Sequence, residues 1–189
     1  MTFNPEIHHR RSIRLRDYDY STVGAYFVTL CTFNRGCYFD QFPRLREIVC
    51  NEWNNIPTRF PTVALDEYII MPNHFHGIIV CMDITRGYPT NGHSLGKPGC
   101  LQADAPSLGD IIGAFKSLCV AAWLRAIKTD TINARGKFWQ KNYYEHVIRN
   151  EDELNRIRKY IVDNPTQWEF DRENLKIGQQ PQKIEKWMI

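Results

Sequence analysis

Apolar and polar positions along the chain change period several times, and each change predicts an element. Residues 24–34 (Gly-Ala-Tyr-Phe-Val-Thr-Leu-Cys-Thr-Phe-Asn) are aromatic and β-branched and read as a first strand. Leu45, Ile48, Val49 and Trp53 recur at helical spacing within 43–56, and Pro57 follows the pattern. Residues 63–71 read as a second strand, Pro72-Asn73 as a tight turn, and 74–82 as a third strand that pairs back as a hairpin. Ser107 is placed to cap a helix of about twenty residues. Its inner side carries Leu108, Ile111, Ile112, Phe115, Leu118, Cys119, Ala122 and Trp123. Residues 138–148 form a fourth strand region, and a last helix spans about 151–163. Asn150 caps that helix, Glu153 stands where a capping box would reach back, and Leu154, Ile157 and Ile161 make its apolar stripe.

The order strand, helix, strand, strand, helix, strand, extra helix predicts an α+β, ferredoxin-like antiparallel sheet (βαββαβ) with helices on one face. Side chains of a strand alternate faces. In the third strand Phe75, Gly77, Ile79 and Cys81 share one face, and His74, His76, Ile78 and Val80 share the other. Ile78 and Val80 make the histidine face apolar as well, so the extra C-terminal helix is expected to cover it. The domain is expected over 21–170. A basic arm precedes it at 1–20, a flexible Gly- and Pro-rich loop lies at 83–106, and a tail follows at 171–189.

The length of 189 residues suits one compact domain. Net charge is only +3, but Arg10, Arg11, Arg14 and Arg16 alone exceed it, with no acid between His8 and Arg16. A second basic stretch, 135–149, is interleaved with aromatics. Both suit a nucleic-acid backbone as well as a solvated face. The six cysteines show no Cys-x-x-Cys pair and mostly sit in apolar runs, as reduced thiols do. There is no secretory signal and no apolar stretch long enough for a bilayer. The expectation is a cytoplasmic protein with no membrane partner. No phosphate-cradling glycine motif is present.

The chemistry concentrates in Met71-Pro72-Asn73-His74-Phe75-His76. His74 and His76 flank one bulky apolar residue, so two imidazoles point the same way from a rigid strand, a geometry that can hold one metal ion. On the last helix Tyr160 lies at the edge of the apolar stripe, and Asn164 follows four residues later on the same side. A phenol can attack a phosphodiester when a cation polarises the phosphate. The amide oxygen of Asn164 is a candidate third ligand beside the histidines.

These segments resemble the HUH single-tyrosine transposases, in particular the REP-associated tyrosine transposase branch. The resemblance runs over about residues 10–170. It is carried by Arg10-Arg11-Ser12-Ile13-Arg14-Leu15, Tyr26-Phe27-Val28-Thr29, Met71 to His76, Phe138-Trp139-Gln140, Tyr143-Tyr144-Glu145-His146 and Tyr160-Ile161-Val162-Asp163-Asn164-Pro165. It implies an enzyme of insertion-sequence type that nicks single-stranded DNA near a hairpin. A tyrosine then joins the 5′ phosphate, and the freed 3′ hydroxyl can later rejoin strands. By position it implies His74 and His76 as ligands of Mg²⁺ or Mn²⁺, Tyr160 as nucleophile and Asn164 as the completing ligand, where related transposases often have Gln. The partner implied is single-stranded or hairpin DNA near the nucleoid, with a homodimer left open.

Further DNA-binding candidates are Lys116, Trp139, Tyr143 and His146, besides the four arginines of the arm. Each has a competing structural role: a solvated charge for Lys116, core packing for Trp139 and Tyr143, a satisfied histidine for His146. Two other functions compete with the enzyme. One is a domesticated hairpin-binding protein that does not cut. The other is a metal phosphodiesterase that uses water, with Tyr160 structural.

Overall fold

The computed structural model describes residues 18–82, 105–171 and 174. The elements follow in the order β1 (Gly24–Cys31), a 3₁₀ turn (Phe33–Arg35), α1 (Tyr38–Gln41), α2 (Pro43–Asn54), α3 (Ile56–Arg59), β2 (Val63–Ile70) and β3 (His74–Cys81). Then come α4 (Leu108–Thr129), β4 (Tyr144–Ile148), α5 (Glu151–Asp163) and a second 3₁₀ turn (Asn164–Phe170). The strands form one antiparallel sheet in the order β2-β3-β1-β4, the ferredoxin-like arrangement. The expected arm (Arg10, Arg11, Arg14, Arg16) and most of the 83–106 loop lie outside the described residues.

Local chemistry explains the element ends. Pro43 opens α2, where its missing N–H costs nothing. Ser107 and Asp110 form a reciprocal capping box: Ser107 Oγ accepts from Asp110 N, and the Asp110 carboxylate accepts from Ser107 N. Asn150 caps α5 by accepting from Glu153 N at 2.9 Å. The expected return half of that box is displaced by one residue. Glu153 accepts from Arg149 N rather than Asn150 N, because its other oxygen is drawn to His146 on β4. The fourth strand begins at Tyr144, not 138. Phe138 and Trp139 instead enter the core, where Trp139 bridges Thr32.

The two sheet faces are packed differently. Tyr26, Val28 and Leu30 of β1 with Phe75 and Ile79 of β3 meet α2 and α4 in a large aromatic core that includes Trp53, Phe115 and Trp123. Gly77 is required by close approach. A Cβ there would lie 2.5 Å from the Trp53 ring and 2.8 Å from Phe75. The opposite face carries a small cluster, Phe27, Ile78 and Ile148 of the sheet against Ile157 and Ile161 of α5. The extra helix covers the histidine face, as the alternation of β3 requires.

Candidate functional site

The register of the two central strands builds the site. His76 lies opposite Thr29, and His74 opposite Cys31, on the α5 face. Both histidines are buried, and their rings stand 4.5 Å apart between centroids. Phe27 stacks on His76 at 5.2 Å and fixes one side of that ring.

A second contact sets the tautomer of His74. Asn73 Nδ2 donates to the carbonyl of Arg35 at 3.1 Å, so its Oδ1 is the atom turned to His74 Nδ1, 2.9 Å away. An amide oxygen only accepts, so His74 carries its proton on Nδ1 and keeps a bare lone pair on Nε2. That Nε2 is buried and has no hydrogen-bond partner. His76 Nδ1 lies 2.8 Å from Thr29 Oγ1, and its Nε2 lies 3.3 Å from the Tyr160 hydroxyl. The Arg35 turn that anchors Asn73 is itself unusual: Asn34 and Arg35 both adopt left-handed backbone, φ 52° and 51°.

Burial holds both imidazoles neutral. Desolvation, with a smaller push from the positive charge of Arg35, lowers the His74 pKa to about 3. Desolvation, then the neighbouring His74, holds His76 well below its ordinary value. Neutral imidazoles with aligned lone pairs are what a metal ion requires.

The structure adds a ligand that the spacing did not reveal. After α5 the chain makes the 3₁₀ turn Asn164–Phe170, which lays Trp168 on the His74 ring, 6.0 Å between centroids. It then presents Asp171, whose Oδ2 lies 3.8 Å from His74 Nε2. Ligand atoms of His74, His76 and Asp171 all fall within 4.8 Å of one another, and all three residues are buried. Asp171 is the first residue after the domain expected over 21–170. Asn174 continues the packed unit, donating to the carbonyls of Asp171 and Trp168. Nothing in the polar run around Asp171 marks it in the sequence; only the turn that follows Pro165 brings it back.

Asn164 is buried with an Oδ1 that has no hydrogen-bond partner. A buried amide oxygen left unmet costs on the order of 1–3 kcal/mol. The unmet His74 Nε2, within the cluster of His74, His76 and Asp171 ligand atoms, is the observation that fits these residues to a cation. A donor set of two imidazoles and a carboxylate suits a divalent ion that accepts nitrogen and oxygen ligands.

The outer candidates fare differently. Trp139 is 5 % exposed inside the aromatic core, so it has no free face for a base. Lys116 Nζ donates to the carbonyls of Gln140 and Lys141, at 2.7 and 3.0 Å, which ties α4 to the loop before β4. His146 Nε2 lies 2.9 Å from the Glu153 carboxylate and serves to dock α5. Tyr143 packs against the main core, whereas its neighbour Tyr144 sits on the histidine face, 6.4 Å from Phe27. Each of these side chains makes a packing or docking contact in the structure.

No protein-family model matches the chain. A Haemophilus influenzae strain Rd protein, described only as uncharacterized, is 39 % identical over 180 residues, spanning 90 % of this chain and 96 % of the relative. Among solved structures, a REP-associated tyrosine transposase bound to a REP hairpin aligns at 17 % identity with a TM-score of 0.48. That alignment covers 82 % of this chain and 73 % of the other. A Deinococcus radiodurans protein provisionally described as a transposase aligns at 17 % identity with a TM-score of 0.41, covering 79 % and 95 %.

Proposed function

The chain belongs to one family with the Haemophilus influenzae protein, and we propose that it is a metal-dependent nuclease and strand transferase acting on single-stranded or hairpin DNA, of the HUH single-tyrosine transposase kind. The observation that carries the reading is the meeting of Tyr160 with the histidine pair. Its hydroxyl stands 3.3 Å from His76 Nε2, and the His76 ring lies 4.5 Å from that of His74, whose buried Nε2 has no hydrogen-bond partner among the described residues. The motifs that resemble the transposases supply the tyrosine's role.

His74, His76 and Asp171, with Asn164, would hold Mg²⁺ or Mn²⁺, as the cluster of buried donors suggests. When bound, the ion supplies Lewis acidity to a phosphodiester and lowers the charge that the nucleophile must approach. The chain's own residues do the rest. Thr29 and Asn73 fix the histidine rings, and Phe27 and Trp168 exclude water from them. Tyr160 is partly exposed where the histidines are not, so the DNA phosphate approaches from the tyrosine side. The Tyr160 oxygen loses its proton and bonds to phosphorus. The bond from phosphorus to the 3′ oxygen breaks, and a 3′ hydroxyl leaves. The result is a 5′ phosphotyrosine that keeps the energy of the phosphodiester, so the reverse attack can join strands without a nucleotide cofactor.

The test is incubation with a hairpin-bearing single strand and Mn²⁺, followed by a denaturing gel. The reading expects a protein–DNA adduct with wild type and none with Tyr160→Phe, which still folds because its ring keeps the packing against Phe27 and His76. Free ends without an adduct would assign the attack to water. Binding with neither product would leave a hairpin-binding protein.

A further inference from the structure

One polar contact on the α5 face takes no part in that chemistry yet is built with the geometry of a fixture. Arg158 lies two residues before Tyr160. Its Nε donates to Asp66 Oδ1 at 2.9 Å and its Nη2 to Asp66 Oδ2 at 2.6 Å, the parallel fork of a bidentate pair. Its remaining nitrogen, Nη1, is held from the helix itself by Asn155 Oδ1 at 2.9 Å and Glu151 Oε1 at 3.3 Å. The carboxylate is fixed in turn by Glu67 N, which donates to Asp66 Oδ1 at 2.7 Å. The guanidinium keeps the Asp66 carboxyl below its ordinary pKa.

The pair sits at an irregularity of the sheet. The ladder between β2 and β3 shifts register between Leu65 and Tyr68. Leu65 pairs with Ile79 and Tyr68 with Gly77, so Asp66 and Glu67 together oppose the single residue Ile78. In regular alternation Leu65 and Tyr68, three positions apart, would point to opposite faces. The bulge lets both join the main core, while Asp66 meets α5. A bulge beside a site is a designed feature of a strand.

The pair also has a counterpart. Glu153 ties α5 to His146 on β4, and β4 and β2 are the two outer strands. The helix is thus held at both edges of the sheet, while Tyr160 meets His76 on an inner strand. Ile157 and Ile161 set how deep the helix sits, but aliphatic contacts are non-directional and tolerate a small slide or roll. A two-bond fork tolerates neither.

We propose that Asp66 and Arg158 are positioning residues that set the roll and height of α5 so that the Tyr160 hydroxyl stands at the histidine pair. The proposal rests on the reading of Tyr160 as nucleophile. Displacing a reacting group by about 1 Å can reduce a rate roughly 100-fold, whereas an ordinary surface ion pair contributes about 0–1 kcal/mol to stability and nothing to placement.

The experiment labels the full chain with 3-fluorotyrosine and records ¹⁹F spectra, the Tyr160 resonance being identified as the one missing in Tyr160→Phe. Asp66→Asn and Arg158→Leu should shift or broaden that resonance and leave those of Tyr18, Tyr26 and Tyr38 in place. Arg158→Lys, which keeps the charge and loses the fork, should move it part of the way and guards against a variant that fails to fold. The exchange of Asp66→Arg with Arg158→Asp should return it towards the wild-type position. With a hairpin strand and Mn²⁺, adduct formation should slow roughly ten- to 100-fold in Asp66→Asn, with DNA affinity within about two-fold. A Tyr160 resonance that stays put in a folded Asp66→Asn or Arg158→Leu variant would overturn the proposal, whatever happens to melting temperature. The spectra need no DNA, so an absent adduct in the wild type would count against the cleavage reading alone.

Discussion

The two faces of one sheet are built on different principles. The face under α2 and α4 is closed by large aromatic side chains, Trp53, Phe75, Phe115 and Trp123, and the rings of the first three meet tilted or edge to face at 4.5–5.9 Å. Among the described residues the face under α5 buries five apolar side chains and leaves other contacts to directed polar groups: Asp66 with Arg158, His146 with Glu153, Thr29 with His76. Aromatic burial is strong and tolerant of small shifts, so it suits a layer whose task is to hold the sheet. Hydrogen bonds are weaker in net free energy but set direction. They suit a layer that must bring a phenol and several ligand atoms to one point.

The largest break in this comparison is expected from Trp53→Ala. It removes a fully buried indole from the main core and should cost about 3–5 kcal/mol, read as a lower urea midpoint. The same class of cut on the other face, Ile161→Ala, is expected near the low end of the ~2–5 kcal/mol range for aliphatic truncation, because less packed structure surrounds it. Equal losses at the two sites would remove the distinction.

Asn73→Ala sharpens the comparison from the chemical side. It frees His74 Nδ1 and with it the tautomer that turns the lone pair inward. Loss of such an outer contact usually lowers metal affinity by about ten- to 100-fold. Mn²⁺ titration against the wild type reads this directly, and an unchanged affinity would exclude His74 Nε2 as a donor. Asp171→Asn should weaken the same affinity while leaving the Trp53 side untouched.

Acid should act on the α5 face alone. His74 and His76 are neutral when folded, with His74 lowered to about 3 and His76 well below 6.5. Below about pH 6.5 the unfolded chain takes up protons that the folded one refuses, so stability is full above that pH and falls as the pH drops toward 3. The burial of His74 alone corresponds to a loss of about 2 kcal/mol between pH 7 and pH 5. Urea midpoints at the two pH values should differ most in the wild type, less in His74→Gln, and least in a His74→Gln/His76→Gln double variant. A similar acid sensitivity in His74→Gln would place the cause elsewhere.

The smallest effect is expected from neutralising Arg10, Arg11, Arg14 and Arg16 together. Each lost phosphate contact should lower the salt slope of single-strand binding by about 0.7, with stability unchanged. An unaltered slope would remove the arm from the DNA interface.

The sequence by itself determined the first three strands, the helices α2, α4 and α5, and the sharing of one face by His74 and His76. Each of these depends on a local period or a local cap: alternation in β3, helical spacing in α2 and α4, Ser107 and Asn150 at helix starts. Spacing alone also put Tyr160 and Asn164 on one side of α5. Only the tertiary structure decided what those groups meet. Asp171 reaches His74 because the turn after Pro165 folds the chain back, and Asp66 reaches Arg158 because α5 is laid against that face of β2. Trp139, Lys116 and His146 are drawn into docking contacts for the same reason. A local pattern fixes which way a side chain leaves its own element. Its partner is set by strand register and helix placement, which many weak contacts across the whole core determine together.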